Sequence, residues 1–206
     1  MRYTGPKCRL CRREGVKLFL KGDRCETPKC AVVRRATPPG MHGASRSKPT
    51  EYAKQLREKQ KAKRIFGLNE TQFANLYAEA AASNSPTADY MMSVLELRAD
   101  NVLYRSRLVD SRQQARQMIN HGLFMVNGKK IKTPSIRLRV GDVLSLDPDC
   151  KSNNFFVSRE ITQPATAKWL QVSPKSFSVT VAQSPEKDDF EQVIESRMLV
   201  EYYSRS

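Results

Sequence analysis

Four thiols carry the clearest chemical signal in the chain. Cys8 and Cys11 are separated by two residues, and after a gap of 13 Cys25 and Cys30 are separated by four. Each pair has the short spacing of a metal knuckle. Thiolates are soft donors, and four of them suit a tetrahedral zinc ion with no coordination position left open for catalysis. Lys7, Arg9, Arg12, Arg13, Arg24 and Lys29 stand around them and favour the thiolate forms. An iron–sulfur cluster, a redox pair and plain buried thiols are the other readings of the same residues. Cys150 stands alone and reads as an inert small side chain. His42 in PPGMHG and His121 in INHG each adjoin a glycine turn in basic surroundings, a setting for RNA contact or turn packing and not for catalysis. No nucleophile constellation, paired-carboxylate site or phosphate-cradling glycine loop is visible. The sequence therefore points away from an enzyme and from a small-molecule substrate.

Charge indicates the partner. Lys and Arg number 36 against 21 Asp and Glu, a formal net charge of +15. The excess is segregated: residues 1–50 hold 13 basic and 3 acidic side chains and residues 101–150 hold 9 and 4, while 51–100 and 151–206 balance at 7 and 7 each. Two separate anion-facing surfaces account for this better than a uniformly solubilising charge, and a polyanion is the expected partner. No apolar run approaches the roughly 18–20 residues of a membrane span, and the start MRYTGPKCRLCRREG has no apolar leader. A cytoplasmic protein without a membrane partner is the expectation, and a reducing compartment disfavours disulfides.

The elements that must position these residues divide the chain into four stretches. Residues 1–48 are basic and rich in Gly and Pro, with too little apolar content to order themselves without a staple, which the metal would supply. Residues 49–94 read as a helical domain: TEYAKQLREKQKAKRIF is polar on nearly all sides, and Asn69 with Gln72 forms a capping-box pattern ahead of Phe73, Leu76, Tyr77 and Ala80. Residues 95–147 form a module of helices plus a hairpin. Ser111 with Gln114 opens the helix SRQQARQMINHG, in which Arg112 and Arg116 are expected on one outer side and Ala115, Met118 and Ile119 on the inner face. Asn127-Gly128 between short apolar segments predicts a type I′ hairpin, and Ile136, Leu138 and Val140 alternating with Arg137 and Arg139 predict a half-buried strand. Residues 148–206 are charge-neutral, contain Trp169, are strand-like in SFSVTVAQ and MLVEYY, and are expected to brace the helical domain. The fold class is α+β: a zinc-stapled irregular N-terminal segment, a helical domain, and a small α/β RNA-binding module with a short, mostly antiparallel sheet. Few aromatics interleave with the charges of the module, so structured RNA, met through phosphate and 2′-hydroxyl contacts, fits better than stacked single strands.

LELRADNVLYRSRLVDSRQQARQMINHGLFMVNGKKIKTPSIRLRVGD resembles the small RNA-binding domain that takes its name from small-subunit ribosomal protein four. That domain pairs an SRxxAR helix with an HGxxxVNGxxV hairpin and also occurs in pseudouridine synthases, tyrosyl-tRNA synthetases and a heat-shock ribosome-binding protein. The start RYTGPKCRLCRREG, the PPGMHG turn, EYAKQLREKQKAKRIFGL and the ending LVEYYSR resemble the bacterial form of the ribosomal protein four family, nearly end to end. The resemblance implies binding to 16S ribosomal RNA at a multi-helix junction of its 5′ domain early in assembly. It also implies contact with ribosomal protein five and other small-subunit proteins, a place near the path by which messenger RNA enters, and an influence on decoding accuracy. Zinc on Cys8, Cys11, Cys25 and Cys30 matches some members, and Arg112, Arg116, His121, Asn127 and Lys129 fall on RNA-facing motif positions. The further candidate RNA contacts are Arg2, Lys7, Arg9, Arg12, Arg13, Arg34, Arg35, His42 and Arg46 in the first stretch and Tyr52, Lys54, Arg57, Lys61, Lys63 and Arg64 in the second. Arg98, Asn101, Arg105 and Ser111 complete the set. Met41 replaces a glutamine common in relatives, and GASRSKP after it is less basic than usual. A free RNA-binding regulator, acting as translational repressor or antitermination factor, is the alternative function. An RNA-modifying enzyme fits less well, because Asp100 in LRADN lies inside the RNA-binding module and not in a GRLD-like catalytic loop.

Overall fold

A computed structural model describes residues 3–41, 43, 48–151, 153–157 and 167–205. In chain order the helices are α1 (Cys8–Glu14), α2 (Ala31–Arg34), α3 (Glu51–Phe66), α4 (Glu70–Ala81), α5 (Thr87–Glu96), α6 (Ala99–Arg105), α7 (Arg112–Asn120), α8 (Asn154–Val157) and α9 (Ser196–Ser204). The strands are β1 (Phe124–Val126), β2 (Lys129–Lys130), β3 (Val143–Leu146), β4 (Leu170–Ser173) and β5 (Ser178–Val181). Two units result, one formed by Met1–Met92 with Glu191–Ser206 and the other by Ser93–Phe190.

In the first unit α3 begins where the Thr50 hydroxyl accepts the Ala53 N–H and ends at Gly67, whose positive φ of 62° reverses the chain. The Asn69–Gln72 capping box forms with both reciprocal bonds and starts α4, which buries Phe73, Leu76 and Ala80. MLVEYY was expected as a strand and is instead part of helix α9. Leu199, Tyr202 and Tyr203 share one helical face there, and α9 packs along α3 and touches α4. Gln55 Nε2 donates to Glu201 at 3.1 Å, and Tyr203 stacks on Tyr77 with ring centroids 4.9 Å apart. Only the part from Glu191 onward joins the helical unit, so the expected brace 148–206 is divided between the two units.

In the second unit five antiparallel strands run in the order β2-β1-β3-β5-β4. The SFSVTVAQ segment supplies β5, which pairs β3 through Leu144 opposite Val179. Leu103, Leu108, Ala115, Ile119, Phe124, Leu144, Trp169 and Val181 are among the buried residues that pack α6 and α7 on the sheet. Ser111 accepts the Gln114 N–H, but the Gln114 side chain reaches the Asp110 N–H, so the expected box is only half formed. The hairpin turns at Asn127 and Gly128 with φ of 49° and 77°, the double positive φ of a type I′ turn. The 136–140 segment keeps its alternation only in part: Leu138 is buried and Arg137 and Arg139 are exposed, but Val140, expected on the buried face, is exposed as well, and the segment makes a single bridge from Arg137 to Arg98 and no ladder. Its backbone partners lie in the link between α5 and α6, where Leu138 N–H meets Leu97 O at 2.8 Å and Ile136 O accepts Ala99 N–H at 2.9 Å.

Candidate nucleic-acid interface

The N-terminal cysteines are brought together. Cys8 and Cys11 on α1, Cys25 at the end of a short 3-10 turn and Cys30 just before α2 line one cavity of about 10 Å³ with Leu20, Lys21 and Val32. All four are free thiols, and Cys11, Cys25 and Cys30 are buried. Burial pushes the Cys11 thiol up, opposed by a backbone hydrogen bond from Leu18; Cys25 is likewise raised by burial and opposed by backbone bonds from Lys21 and Leu20. The neighbouring sulfurs raise both further, because each disfavours charge on the others. Among the described residues no three His, Cys, Asp or Glu side chains already stand as a metal-holding group. The donor chemistry nonetheless fits a soft cation: converging sulfurs penalise one another as thiolates until a cation is among them, and the backbone N–H groups aimed at Cys11 and Cys25 stabilise the charged form.

Around this cavity Arg9, Arg13, Arg34 and Arg35 are exposed and Arg12 is half-buried. Lys7 turns back on Tyr3, donating to its carbonyl oxygen at 2.5 Å and lying 4.8 Å from the ring centroid. Arg12 bonds the carbonyls of Thr37 and Pro38, which fixes the approach to the PPGMHG turn. A Cβ at Gly43 would collide with the Pro38 carbonyl oxygen, so that turn requires glycine. Arg2, His42 and Arg46 lie outside the described residues.

The basic residues of α3 divide into two groups. Tyr52 is 57% exposed and Lys54 is exposed beside Glu51. Arg57 and Arg64 turn to the Glu14 carboxylate at the end of α1, Arg57 at 3.5 Å. Burial pushes the Glu14 carboxyl up while those two guanidinium groups oppose the shift. Lys61 meets Glu58 and the Val193 carbonyl, and Lys63 lies 2.6 Å from Glu70. Lys59, which the sequence did not single out, is 4% exposed. It donates to Glu70 at 2.9 Å and lies 4.4 Å from the Tyr202 ring centroid. Burial alone would raise Glu70, but hydrogen bonds from Lys63, Lys59 and Tyr203 bring its carboxyl down to about 2. These cations clamp α1, α4 and α9 to α3.

The RNA-binding module corrects the sequence reading most. Arg112 and Arg116 were expected on an outer side and are 8% and 9% exposed. Arg116 donates to Asp100 Oδ2 from Nε at 3.0 Å and Nη2 at 2.5 Å, and Arg98 forks onto the same carboxylate at 3.1 and 3.2 Å. Arg112 donates to Asn101 Oδ1 at 2.7 Å and stacks over Tyr104 at 4.3 Å. Asn101 in turn donates to Glu96, which Arg105 grips at 2.9 and 2.6 Å. Arg98, Asn101, Arg105, Arg112 and Arg116 therefore hold α6, α7 and the end of α5 together, while Ser111 caps α7. The physical reason is that Glu96 and Asp100 are buried carboxylates, which require opposite charge and hydrogen bonds beside them. The hairpin side is different: His121, Asn127 and Lys129 are exposed. Asn127 is tied to the 142–143 turn through Asp142 at 2.8 Å and the Val143 N–H at 2.9 Å. Lys132, Arg137 and Arg139 are exposed cations of the same module that the candidate set omitted, although Arg137 and Arg139 were legible as the polar half of an alternation.

Among the described residues no helix is long and apolar enough to cross a membrane. Residues 2–96 match the family described as ribosomal protein S4/S9 N-terminal domain, and residues 97–144 match the S4 domain. The chain is 46% identical over 207 residues to small ribosomal subunit protein uS4A of Symbiobacterium thermophilum, with 99% of each covered. It is 45% identical over 205 residues to uS4 of Clostridioides difficile and 48% over 206 residues to uS4 of Halothermothrix orenii, again with 99% of each covered. Similarity of this extent, over nearly the whole of both chains, shows that the chain belongs to the bacterial uS4 family of small ribosomal subunit proteins.

Proposed function

We propose that the chain is a non-catalytic structural component of the small ribosomal subunit that grips 16S ribosomal RNA at the 5′-domain junction and helps to nucleate assembly there. The observation that carries this reading is the 45–48% identity to ribosomal proteins over 99% of both partners. Exposed cations of the cysteine segment, Arg9, Arg13, Arg34 and Arg35, and of the hairpin side, Lys129 and Lys132, act as backbone contacts, with the exposed His121 beside them; the buried Arg98, Arg112 and Arg116 keep the second surface rigid. Phosphate contacts set affinity and its salt dependence, and rigid presentation selects one RNA shape. A Zn²⁺ ion held by Cys8, Cys11, Cys25 and Cys30 orders the first segment; four sulfurs lining one cavity support it. Contacts with ribosomal protein five and with messenger RNA on its way in, and an influence on accuracy, belong to the same proposal.

A salt-titrated binding curve of the full chain against the 5′ domain of small-subunit ribosomal RNA, with a large-subunit fragment as competitor, tests the reading. Preference for the 5′ domain that survives moderate salt is the expected result. Equal, salt-labile binding to both fragments would reduce the chain to a generic basic protein. Co-sedimentation with small subunits separates the structural role from that of a free regulator.

A further inference from the structure

The cysteine cavity shares a wall with a second hollow of opposite character. This one measures about 340 Å³ and is lined by Arg12, Arg24, Lys29, Ala31, Arg34 and Arg35. Five of the six lining residues are cations, and none is acidic. Like charges repel, so solvated side chains on an open surface spread apart; convergence on one concavity is the arrangement a multivalent anion stabilises. Guanidinium forks match the oxygens of a phosphate group, and four of the five cations are arginines. Arg12 is held in place through Thr37 O at 3.0 Å and Pro38 O at 3.4 Å, which engages only part of its donor set.

The two hollows are built from one peptide. Arg24 precedes Cys25, Lys29 precedes Cys30, and Arg34 and Arg35 follow on α2 and its cap. Arg24 and Ala31 line both cavities. We propose that this hollow binds phosphate groups of the RNA backbone, and that a metal ion on the four cysteines sets its grip by fixing the loop that carries the cations. The inference rests on the RNA-binding reading above and names a contact and its regulation within it. Drawing Cys25 and Cys30 to a common ion fixes Arg24 and Lys29 at their neighbours. Without the ion the 22–30 loop regains its freedom and the cations separate.

The test uses the full chain, zinc-loaded or stripped with a chelator, against the same 5′-domain RNA fragment. The companion is the triple variant Arg24→Ala, Lys29→Ala, Arg34→Ala, whose altered side chains are all exposed and whose zinc stoichiometry and circular dichroism should match the parent. The zinc-loaded parent should show a log–log salt slope steeper than the stripped parent by at least about 0.7–0.9, the contribution of one phosphate. The triple variant should show the shallower slope whether or not zinc is present. An unchanged slope in the triple variant, with the parent still preferring the 5′ domain, overturns the phosphate hollow and leaves the RNA reading standing. A parent without that preference fails the RNA reading itself and this assignment with it. Equal slopes for loaded and stripped parent overturn the coupling to metal. Inorganic phosphate at constant ionic strength that raises the melting temperature of the parent but not of the triple variant, with RNA slopes equal for both, would assign the hollow to a free anion and overturn the RNA contact.

Discussion

The cysteine segment and the network around α6 and α7 use arginine in opposite ways. In the cysteine segment Arg24, Arg34 and Arg35 are exposed around a hollow with no acidic residue in its lining. In the second unit Arg98, Arg112 and Arg116 are buried, and Arg98, Arg105 and Arg116 fork onto the carboxylates of Glu96 and Asp100. The difference lies in the neighbouring acids. Residues 1–50 contain only three, Glu14, Asp23 and Glu26, and Glu14 is held by Arg57 and Arg64 of α3. LELRADN places two carboxylates where α5 gives way to α6, in reach of the arginines that follow. Local excess of positive charge is thus left at the surface where no buried carboxylate is at hand to take it up.

The comparison can be broken first at the metal. Apparent affinities of structural zinc in finger peptides are about 10–16 kcal/mol, so under the proposed zinc assignment loss of the ion should remove the main support of a segment that has little core. Cys11→Ser is expected to release zinc and to expose the amides of residues 3–41 to hydrogen exchange, while the second unit keeps its protection. Full zinc retention by the variant, measured by metal analysis, would refute the ligand assignment. A colourless zinc-containing protein also separates the ion from an iron–sulfur cluster.

The next largest effect belongs to the second unit. Asp100→Ala leaves Arg98 and Arg116 buried without their carboxylate, and removing one partner of a buried pair costs about 3–5 kcal/mol. Urea unfolding followed on the second unit should show that loss. A change below about 1 kcal/mol would mean that the two guanidinium groups find water easily and are surface groups after all.

These contrasts show what the sequence made legible. Short-range signals are found mostly where expected: the Asn69–Gln72 box and the Asn127–Gly128 hairpin depend on residues within four positions of each other, and the Ser111–Gln114 box is half formed. Long-range pairing is where the reading failed. The alternation in 136–140 predicts a strand, but its backbone partners come from the α5–α6 link. MLVEYY has the composition of a strand and becomes a helix because α3 offers a face for Leu199, Tyr202 and Tyr203. The inward turn of Arg112 and Arg116 was hidden for the same reason: helical spacing puts them on one side, and only the fold shows that Asp100 and Asn101 occupy that side.

Glu70 sharpens the comparison within the first unit, where paired cations serve the core. Its carboxyl stands at about 2 in the folded chain against an ordinary 4.5. A folded value below the unfolded one gives stability that is present above the unfolded value and is lost as pH falls from about 4.5 to about 2. The side chain is 48% exposed, so solvent screening reduces the effect to about 1 kcal/mol. Glu70→Gln should therefore destabilise the chain by about that much at pH 7, and chemical denaturation curves of variant and parent should converge toward pH 2. A difference that stays constant with pH would assign the loss to packing against Tyr203 and not to charge.

The smallest effect on stability is the sharpest on function. Lys129 is exposed on the hairpin, and its replacement by alanine should change stability by no more than about 0.5 kcal/mol. As a phosphate contact it should nevertheless reduce the salt slope of RNA binding by about 0.7–0.9. Arg112→Ala should do the reverse. It deprives Asn101 of a buried donor and Tyr104 of its stacked cation, which lowers stability by roughly 1–3 kcal/mol. Under conditions where the variant remains folded, the slope should be retained. Measured side by side, a slope that falls with Lys129 and holds with Arg112 assigns RNA contact to the hairpin and rigidity to the helix. A slope that falls with Arg112 alone would place the outer edge of that guanidinium on the RNA and make the buried network part of the binding surface itself.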